Sequence, residues 1–152
     1  MPRPPRFQPT GGTFHITSRG NRRQPIYWDD LDRELFLRLF NRVLRRQRWQ
    51  YLAYCLMTNH FHLVIETKVE SLSIGMHQLN GGYARKFNDR HTLDGHLFEG
   101  RFRSTFVETD DQLEDTLRYV AFNPIRAGLC EHPAEWPWSS FRGVHERFLF
   151  ER

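Results

Sequence analysis

The sequence predicts an α+β domain of ferredoxin-like βαββαβ topology, in which an antiparallel sheet lies beneath two helices and a C-terminal helix and coil follow. Residues 13–18 alternate apolar and polar side chains, which is typical of a strand. Residues 30–47 carry apolar side chains at helical spacing, which is typical of a helix with one buried face. Segments of these two kinds follow one another as strand, helix, strand, strand, helix, strand and helix.

The first helix and the hairpin after it have clear local signals. Asp29 or Asp30 can cap a helix that runs to about Gln47. Residues 50–57 and 61–67 predict two strands, and the connection between them is short enough for a hairpin. The predicted buried stripe of the helix comprises Leu31, Leu35, Phe36, Leu39, Phe40, Val43 and Leu44.

A second helix is predicted over residues 71–88 and a fourth strand over residues 103–108. Gly81 and Gly82 disfavour the middle of this helix, because glycine is a poor helix former. The inward residues of the helix are expected to be Leu72, Met76, Leu79, Tyr83 and Phe87.

A third helix begins with the Thr-x-x-Gln form of a capping box at Thr109 and Gln112. We expect Pro124 to end it, because proline lacks the N–H that continues a helix. The remaining chain is expected to be coil with short helical pieces, anchored by Trp136, Trp138 and Phe141.

Charge points to an anionic partner. The chain has a net charge of +4, a pI of about 9.4 and 22 lysines and arginines, of which only Lys68 and Lys86 are lysines. Arginine suits phosphate, because its planar guanidinium can donate to two oxygens at once. Residues 1–12 are expected to form a flexible basic arm, and residues 13–152 a single domain.

Several classes of protein are excluded by composition. Cys55 and Cys130 lie far apart and form no Cys-x-x-Cys motif, so a cysteine zinc site and a disulfide scaffold are disfavoured. No apolar run is long enough to span a membrane, and the N-terminus does not have the form of a signal peptide. We expect a cytoplasmic, nucleoid-associated protein.

The motif His60-Phe61-His62 is the sharpest chemical feature. In a strand, residues i and i+2 point to the same face about 7 Å apart, so two imidazoles can converge on one cation. Phe61 would then point into the core. Alternatively, His60 caps a turn and His62 is an ordinary sheet histidine.

Tyr119 and Asn123 form the second element, since residues i and i+4 are neighbours on one face of a helix. They lie beside a predicted buried stripe, so a phenol and an amide could reach a site above the sheet. Alternatively, Tyr119 is simply half-buried and Asn123 ends the helix. The stripe comprises Leu113, Leu117, Val120 and Ala121.

The four residues make a chemically coherent set. Two imidazoles and an amide oxygen could hold a divalent cation and leave positions open for phosphate oxygens. We expect Mg²⁺ or Mn²⁺ here. Tyr119 could attack phosphorus and conserve the bond energy as a phosphotyrosine, so that the strand can be rejoined. Basic residues expected to contact DNA are Arg19, Arg22, Arg23, Arg101, Arg103 and Arg126, with Phe102 between two of them.

Five segments of the chain carry a resemblance: FHITSRGNRR (14–23), YCLMTNHFHLVI (54–65), GHLFEGRFRS (95–104), RYVAFNPIRAGL (118–129) and WPWSSFRG (136–143). Together they resemble the Y1 HUH transposases, and specifically the REP-associated tyrosine transposases related to the IS200/IS605 enzymes. The resemblance covers nearly the whole chain in order. Thr58 stands where the family commonly has proline, a departure from which we expect little effect.

The resemblance implies a role for each residue of the set. His60 and His62 match the HUH pair that binds the metal, Tyr119 matches the nucleophile, and Asn123 matches the third ligand, which is more often glutamine in insertion-sequence relatives. It implies single-stranded DNA hairpins from repetitive extragenic palindromes (REP) as substrates, cut to give a 5′-phosphotyrosine and a 3′ hydroxyl. It leaves open whether the protein is a monomer or a homodimer.

Two other functions remain open at this point. The chain could be a catalytically inactive nucleic-acid-binding module on the same fold, which would need the arginines but not the histidines and the tyrosine. It could also be a two-histidine phosphodiesterase, because His15-Ile16-Thr17 resembles one half of such a site. That chemistry needs a second His-x-Thr/Ser motif, whereas the other motif here is His-x-His.

Overall fold

A computed structural model of the protein describes residues 11–141. It has the predicted order of elements and confirms the predicted α+β fold. Short 3₁₀ turns occur at Asn21–Arg23 and Pro133–Glu135. The main elements are β1 (Gly12–Arg19), α1 (Asp30–Gln47), β2 (Gln50–Leu56), β3 (His60–Thr67), α2 (Leu72–His91), β4 (Arg103–Val107) and α3 (Asp110–Arg126).

The four strands form one antiparallel sheet in the order β2-β3-β1-β4. The predicted hairpin joins β2 to β3. Side chains on successive strand residues point to opposite faces, so each strand divides its residues between two layers. Helices α1 and α2 cover one face over the larger core, which includes Phe14, Ile16, Phe36, Phe40, Phe61, Leu63, Leu79 and Tyr83.

The third helix lies on the opposite face, against β2 and β3. A smaller core forms there from Ala53, Cys55, Met57, Val64, Leu117, Val120, Ala121 and Phe141. The chain then returns along the outer edge of β2, where the Leu56 N–H donates to the Trp138 carbonyl at 2.9 Å and the Ser140 N–H to the Tyr54 carbonyl at 3.0 Å. This segment, which the sequence predicted only as anchored coil, covers an edge that would otherwise be open to pairing.

The start of α1 agrees with the prediction, with one exception. Asp29 is the N-cap and accepts from the Asp32 N–H. Leu31 was predicted to be buried, but it is 44% exposed. The inward position is taken by Asp32, which is fully buried and accepts hydrogen bonds from the Trp28 N–H, Arg90 and His91. This network ties the beginning of α1 to the end of α2, and a hydrophobic pattern does not reveal it.

The second helix is continuous through Gly81 and Gly82 and continues to His91. Its five predicted inward residues are all buried. Tertiary packing therefore outweighs the low helix propensity of the glycine pair. Gly75 has a packing role, because a Cβ there would lie 2.3 Å from the ring of the buried Trp49.

The prediction that Pro124 ends the third helix was wrong. The helix continues to Arg126, with Pro124 in its last turn. A proline there removes only one hydrogen bond, and the Ala127 N–H resumes the pattern by donating to the Asn123 carbonyl. At the other end Thr109 accepts from the Gln112 N–H as predicted. The Gln112 side chain, however, accepts from the Glu108 N–H, so the capping box forms only in part.

The limits of the domain are partly outside the described residues. Gly12 belongs to β1, so the strand takes one residue that was assigned to the N-terminal arm. Residues 1–10 of that arm and the end of the predicted domain (142–152) lie outside the described residues. Within residues 11–141, none of the helices combines the length and the apolar character that a membrane crossing needs.

Replacing each of two glycines of α2 by alanine should have opposite effects on the free energy of unfolding. Gly75→Ala should lower the free energy of unfolding by about 1–3 kcal/mol, because the Trp49 ring must move. Gly81→Ala should raise it by about 0.5–1 kcal/mol, since no atom lies within 4 Å of the added Cβ and alanine favours the helix. Urea denaturation of both variants checks this, and a destabilised Gly81→Ala would contradict the geometry of α2.

Candidate active site

The two histidines of the His-x-His motif lie on one face of β3, as predicted. Their ring centroids are 5.0 Å apart. Phe61 between them points to the other face and is completely buried in the larger core. The histidines face the side of the sheet on which α3 lies, so strand alternation alone separates this site from the core.

His60 is held by the turn that precedes it. Its Nδ1 lies 2.8 Å from Asn59 Oδ1, and because a carbonyl oxygen only accepts, Nδ1 carries the proton. The Asn59 amide nitrogen in turn donates to the Arg23 carbonyl at 3.1 Å. This arrangement leaves the lone pair of His60 on Nε2, which is the tautomer that a metal ligand needs.

His62 makes a hydrogen bond through each ring nitrogen. Asn123 Nδ2 lies 2.8 Å from Nε2, and His15 Nε2 lies 2.9 Å from Nδ1. Because the Asn123 amide nitrogen is a donor, Nε2 is an acceptor and Nδ1 donates to His15. The lone pair of His62 is therefore also on Nε2. The predicted ligands His60, His62 and Asn123 thus meet at one place.

His15 is part of the site, although the sequence suggested it only as half of a different one. It lies on β1 beside β3, and its ring stacks on that of His62 with centroids 5.2 Å apart. Its position opposite the histidine motif follows from the register of β1 and β3, which pairs Thr17 with His62. The sequence signal was the alternation in β1, which puts His15 on the polar face.

The three imidazoles favour their neutral forms. Burial lowers the pKa of His15. Burial and the nearby Arg19 guanidinium lower that of His60. Burial, with smaller contributions from the two neighbouring histidines and Arg126, lowers the pKa of His62 to about 3. Neutral imidazoles retain the lone pairs that bind a cation.

Tyr119 lies above this cluster on α3. Its ring is edge-on to those of His62 and His15, at centroid distances of 5.7 and 6.1 Å. The side chain is 49% exposed, so a polymer can reach it. The Arg126 guanidinium lies 4.4 Å from the ring centroid and also donates to the Tyr119 carbonyl. Tyr119 is thus held one helical turn from Asn123, as predicted.

One cleft of about 470 Å³ brings the predicted residues together. We call it the active-site cleft. Four of the six predicted arginines line it, and Arg19 pairs there with Glu99 at 3.2 Å. Arg22 and Arg126 do not line it, and Arg126 instead lies against the ring of Tyr119. Residues lining the cleft include His15, Thr17, Arg19, Arg23, His60, His62, Glu99, Arg101, Arg103, Tyr119 and Asn123.

The donor set fits a divalent cation with open positions. Two neutral imidazoles present Nε2 lone pairs, and rotation of the Asn123 amide by half a turn would present its oxygen in place of its nitrogen. No group of three histidine, cysteine or carboxylate side chains suitable for a metal occurs within residues 11–141. A closed structural zinc site is therefore not formed by this part of the chain.

The low pKa of His62 makes stability depend on acidity. Its ordinary pKa of about 6.5 applies in the unfolded chain, so unfolding takes up a proton below that pH. The contribution of His62 to the free energy of unfolding is complete above about pH 6.5 and declines as the pH falls towards 3. For chelator-treated protein we expect a loss of about 2 kcal/mol in unfolding free energy between pH 7 and 5. His62→Gln should flatten this dependence, and equal slopes in both proteins would contradict the assignment.

Comparison with known proteins identifies the family of the chain. The family model described as "Transposase IS200 like" matches residues 10–123, which is more than half of the chain. A Haemophilus influenzae protein assigned as a REP-associated tyrosine transposase is 22% identical over 142 residues, covering 86% of this chain and 80% of that protein.

Two solved structures share the fold. A REP-associated tyrosine transposase bound to a REP hairpin superposes with a TM-score of 0.79 at 19% identity, covering 99% of this chain and 89% of the other. A Deinococcus radiodurans protein assigned as a transposase gives a TM-score of 0.54 at 12% identity, covering 74% and 92%. From the match to the family model and the site that its residues form, the chain belongs to the IS200-like transposase family.

Proposed function

We propose that this transposase cuts and rejoins single-stranded DNA through a covalent 5′-phosphotyrosine on Tyr119. The observation that carries the proposal is the convergence of Tyr119 with His60, His62 and Asn123 in one arginine-lined cleft. A phenol beside neutral imidazoles is a chemically suitable nucleophile site. A binding module would have no use for this combination.

Each residue of the site has a distinct part in the proposed reaction. Arg101 and Arg103 bind the phosphate backbone and orient the strand. The Tyr119 hydroxyl gives up its proton to the surrounding water and its oxygen attacks phosphorus. The bond to the 3′ oxygen breaks, and that oxygen takes a proton from water to become a 3′ hydroxyl, so no net proton is gained or lost. The reverse attack by a 3′ hydroxyl restores the DNA and releases the tyrosine without an external energy source.

His60, His62 and Asn123 would hold the divalent cation, for which Mg²⁺ and Mn²⁺ are the candidates. When bound, such a cation polarises phosphate oxygens and stabilises negative charge on the departing oxygen. Asn59 and His15 hold the two imidazoles in the required tautomers by their hydrogen bonds.

The proposed substrate is a single-stranded DNA hairpin of the REP type in the bacterial cytoplasm, near the nucleoid. The structural relative that covers 99% of the chain was solved bound to a REP hairpin. Tyr119 already contacts the histidines of its own chain, which favours use of the tyrosine in cis. A monomer would then suffice, and a homodimer is not required.

Tyr119→Phe tests the nucleophile. It should lower cleavage of a labelled hairpin in Mn²⁺ by at least about 10³-fold, because only the attacking oxygen is lost, and should leave hairpin affinity within about twofold. Denaturing gels measure cleavage and fluorescence anisotropy measures binding. Cleavage that survives in Tyr119→Phe would favour the phosphodiesterase alternative, for which His15 and Thr17 lie in the same cleft.

His60→Ala is the companion variant, since it removes a proposed ligand and keeps the nucleophile. We expect Mn²⁺ affinity, followed by electron paramagnetic resonance, to fall at least about tenfold together with cleavage. Unchanged Mn²⁺ binding would contradict the ligand set. Wild-type protein that binds hairpins but yields no adduct on any of them would favour the inactive binding module.

Salt dependence tests the path of the DNA. Arg101→Ala should weaken hairpin binding and reduce the slope of log K against log salt by about one, because one phosphate contact is lost. Lys68→Ala removes the same charge just beyond the opposite end of β3 from His60 and serves as the control. Equal effects of both variants would mean that the cleft is not the binding surface.

A further inference from the structure

A second cavity, which we call the side cavity, adjoins the active-site cleft. It lies between the middle of α2 and the loop before β4, and its volume is about 560 Å³. This is within the usual range of small-ligand sites, which combine an apolar wall with a few polar groups. The apolar wall includes Met76, Leu97, Phe98 and Phe102, and the polar rim includes His77 and His96.

The side cavity is continuous with the active-site cleft. Gly100 and Arg101 line both. Between them lies a hydrogen bond of 2.9 Å from the Asn80 amide nitrogen to the Ser18 hydroxyl, with Ser18 on the cleft and Asn80 on the side cavity. A strand bound along the cleft therefore passes the entrance of the side cavity.

Gly81 in the wall of the side cavity has no explanation in the packing of the described residues. Glycine inside a helix costs about 0.5–1 kcal/mol relative to alanine. Gly75 in the same helix makes room for Trp49, but no atom lies within 4 Å of a Cβ built on Gly81. Space at such a position suits close approach of a ligand to the helix backbone.

Asn80 supplies a second indication. Its Oδ1 is buried and has no hydrogen-bond partner among the described residues. A buried amide oxygen without a donor is unfavourable by about 1–3 kcal/mol. Asn80 lines the side cavity, but Oδ1 itself is enclosed, so the amide must turn before a ligand N–H can reach this oxygen and remove that cost.

We propose that the side cavity binds one unstacked nucleobase of the single strand next to the scissile phosphate. A planar base can stack on the aromatic and apolar wall and offer an N–H to Asn80. Arg101 lines both spaces, so it can bind a backbone phosphate where the strand passes from the active-site cleft to the side cavity. The inference rests on the proposed function, because it assumes that the strand enters the cleft.

Cross-linking tests the occupant directly. The probe is a DNA hairpin with a single-stranded thymidine flank, in which one position at a time carries 4-thiothymidine. After irradiation with the full-length protein, mass spectrometry identifies the linked peptides. We expect one flank position to link to residues 73–84 or 95–98, which line only the side cavity, and neighbouring positions to link to the peptide that contains Tyr119.

Gly81→Leu fills the side cavity without changing charge. It should reduce the cross-link to residues 73–84 or 95–98 at least tenfold and weaken hairpin affinity about tenfold, as expected when one stacked base is lost. Gly82→Ala is the control, because its Cβ would make only ordinary contact with Leu39 at 3.8 Å and faces away from the side cavity. Ala84→Leu, also in the wall, is a second filling variant if Gly81→Leu does not fold.

The outcomes separate this inference from the proposed function. Cross-links confined to peptides of the active-site cleft, or unchanged by both filling variants, would overturn the base site alone. Cross-links in the side cavity without any tyrosine adduct would support the base site and overturn the proposed reaction. Wild-type protein that does not bind the hairpin would overturn both.

Discussion

The antiparallel pairing of β1 with β3 is the constraint on which the site depends. It places Thr17 opposite His62 and Arg19 opposite His60, so that the polar faces of two strands coincide. The same register sends Ile16 and Phe61 to the other face, where they are fully buried beneath α1 and α2. A shift of one residue would exchange the core face and the face that carries the proposed site, so core packing fixes the position of the site residues.

The third helix contributes the two residues of the site that the sheet does not supply. Leu117, Val120 and Ala121 anchor it on β2 and β3, and this fixes which way its other residues face. Tyr119 and Asn123 then lie over the histidines. The tyrosine and the amide are therefore held by packing between elements that are distant in sequence. Because α3 leaves β1 and β4 largely uncovered, a cleft remains into which a strand of DNA can enter.

The electrostatics of the cleft follow from partial burial. The imidazoles are too buried to be easily protonated, which keeps their lone pairs available, whereas the arginines stand at the rim, where solvent supports their charge. The proposed binding of phosphate and a divalent cation in the same cleft needs this division. Protonated histidines would attract phosphate but would repel the cation. Arg19 has its charge partly balanced by Glu99, so the unpaired attraction for phosphate is concentrated on the other arginines of the rim.

Much of this could be predicted from the sequence, because strand and helix periodicities are local properties. The spacing of His60 and His62 and that of Tyr119 and Asn123 sufficed to place each pair on one face. Three features could not be predicted in this way. The contact of His15 with His62 depends on strand register, the burial of Asp32 depends on partners 58 and 59 residues away, and the pairing of residues 138–140 with β2 has no periodic signal. The prediction for Pro124 was wrong because the destabilisation of a helix by proline depends on its position, and Pro124 lies in the last turn.

The most direct test of the central claim is identification of the atom that becomes attached to DNA. Wild-type protein would be incubated with Mn²⁺ and a hairpin labelled on the 3′ side of the cut, digested, and analysed by mass spectrometry. The account predicts a single nucleotide-bearing peptide that contains residues 118–123 and is modified on Tyr119. A modification on another residue, or cleavage that leaves no protein–DNA adduct, would contradict it.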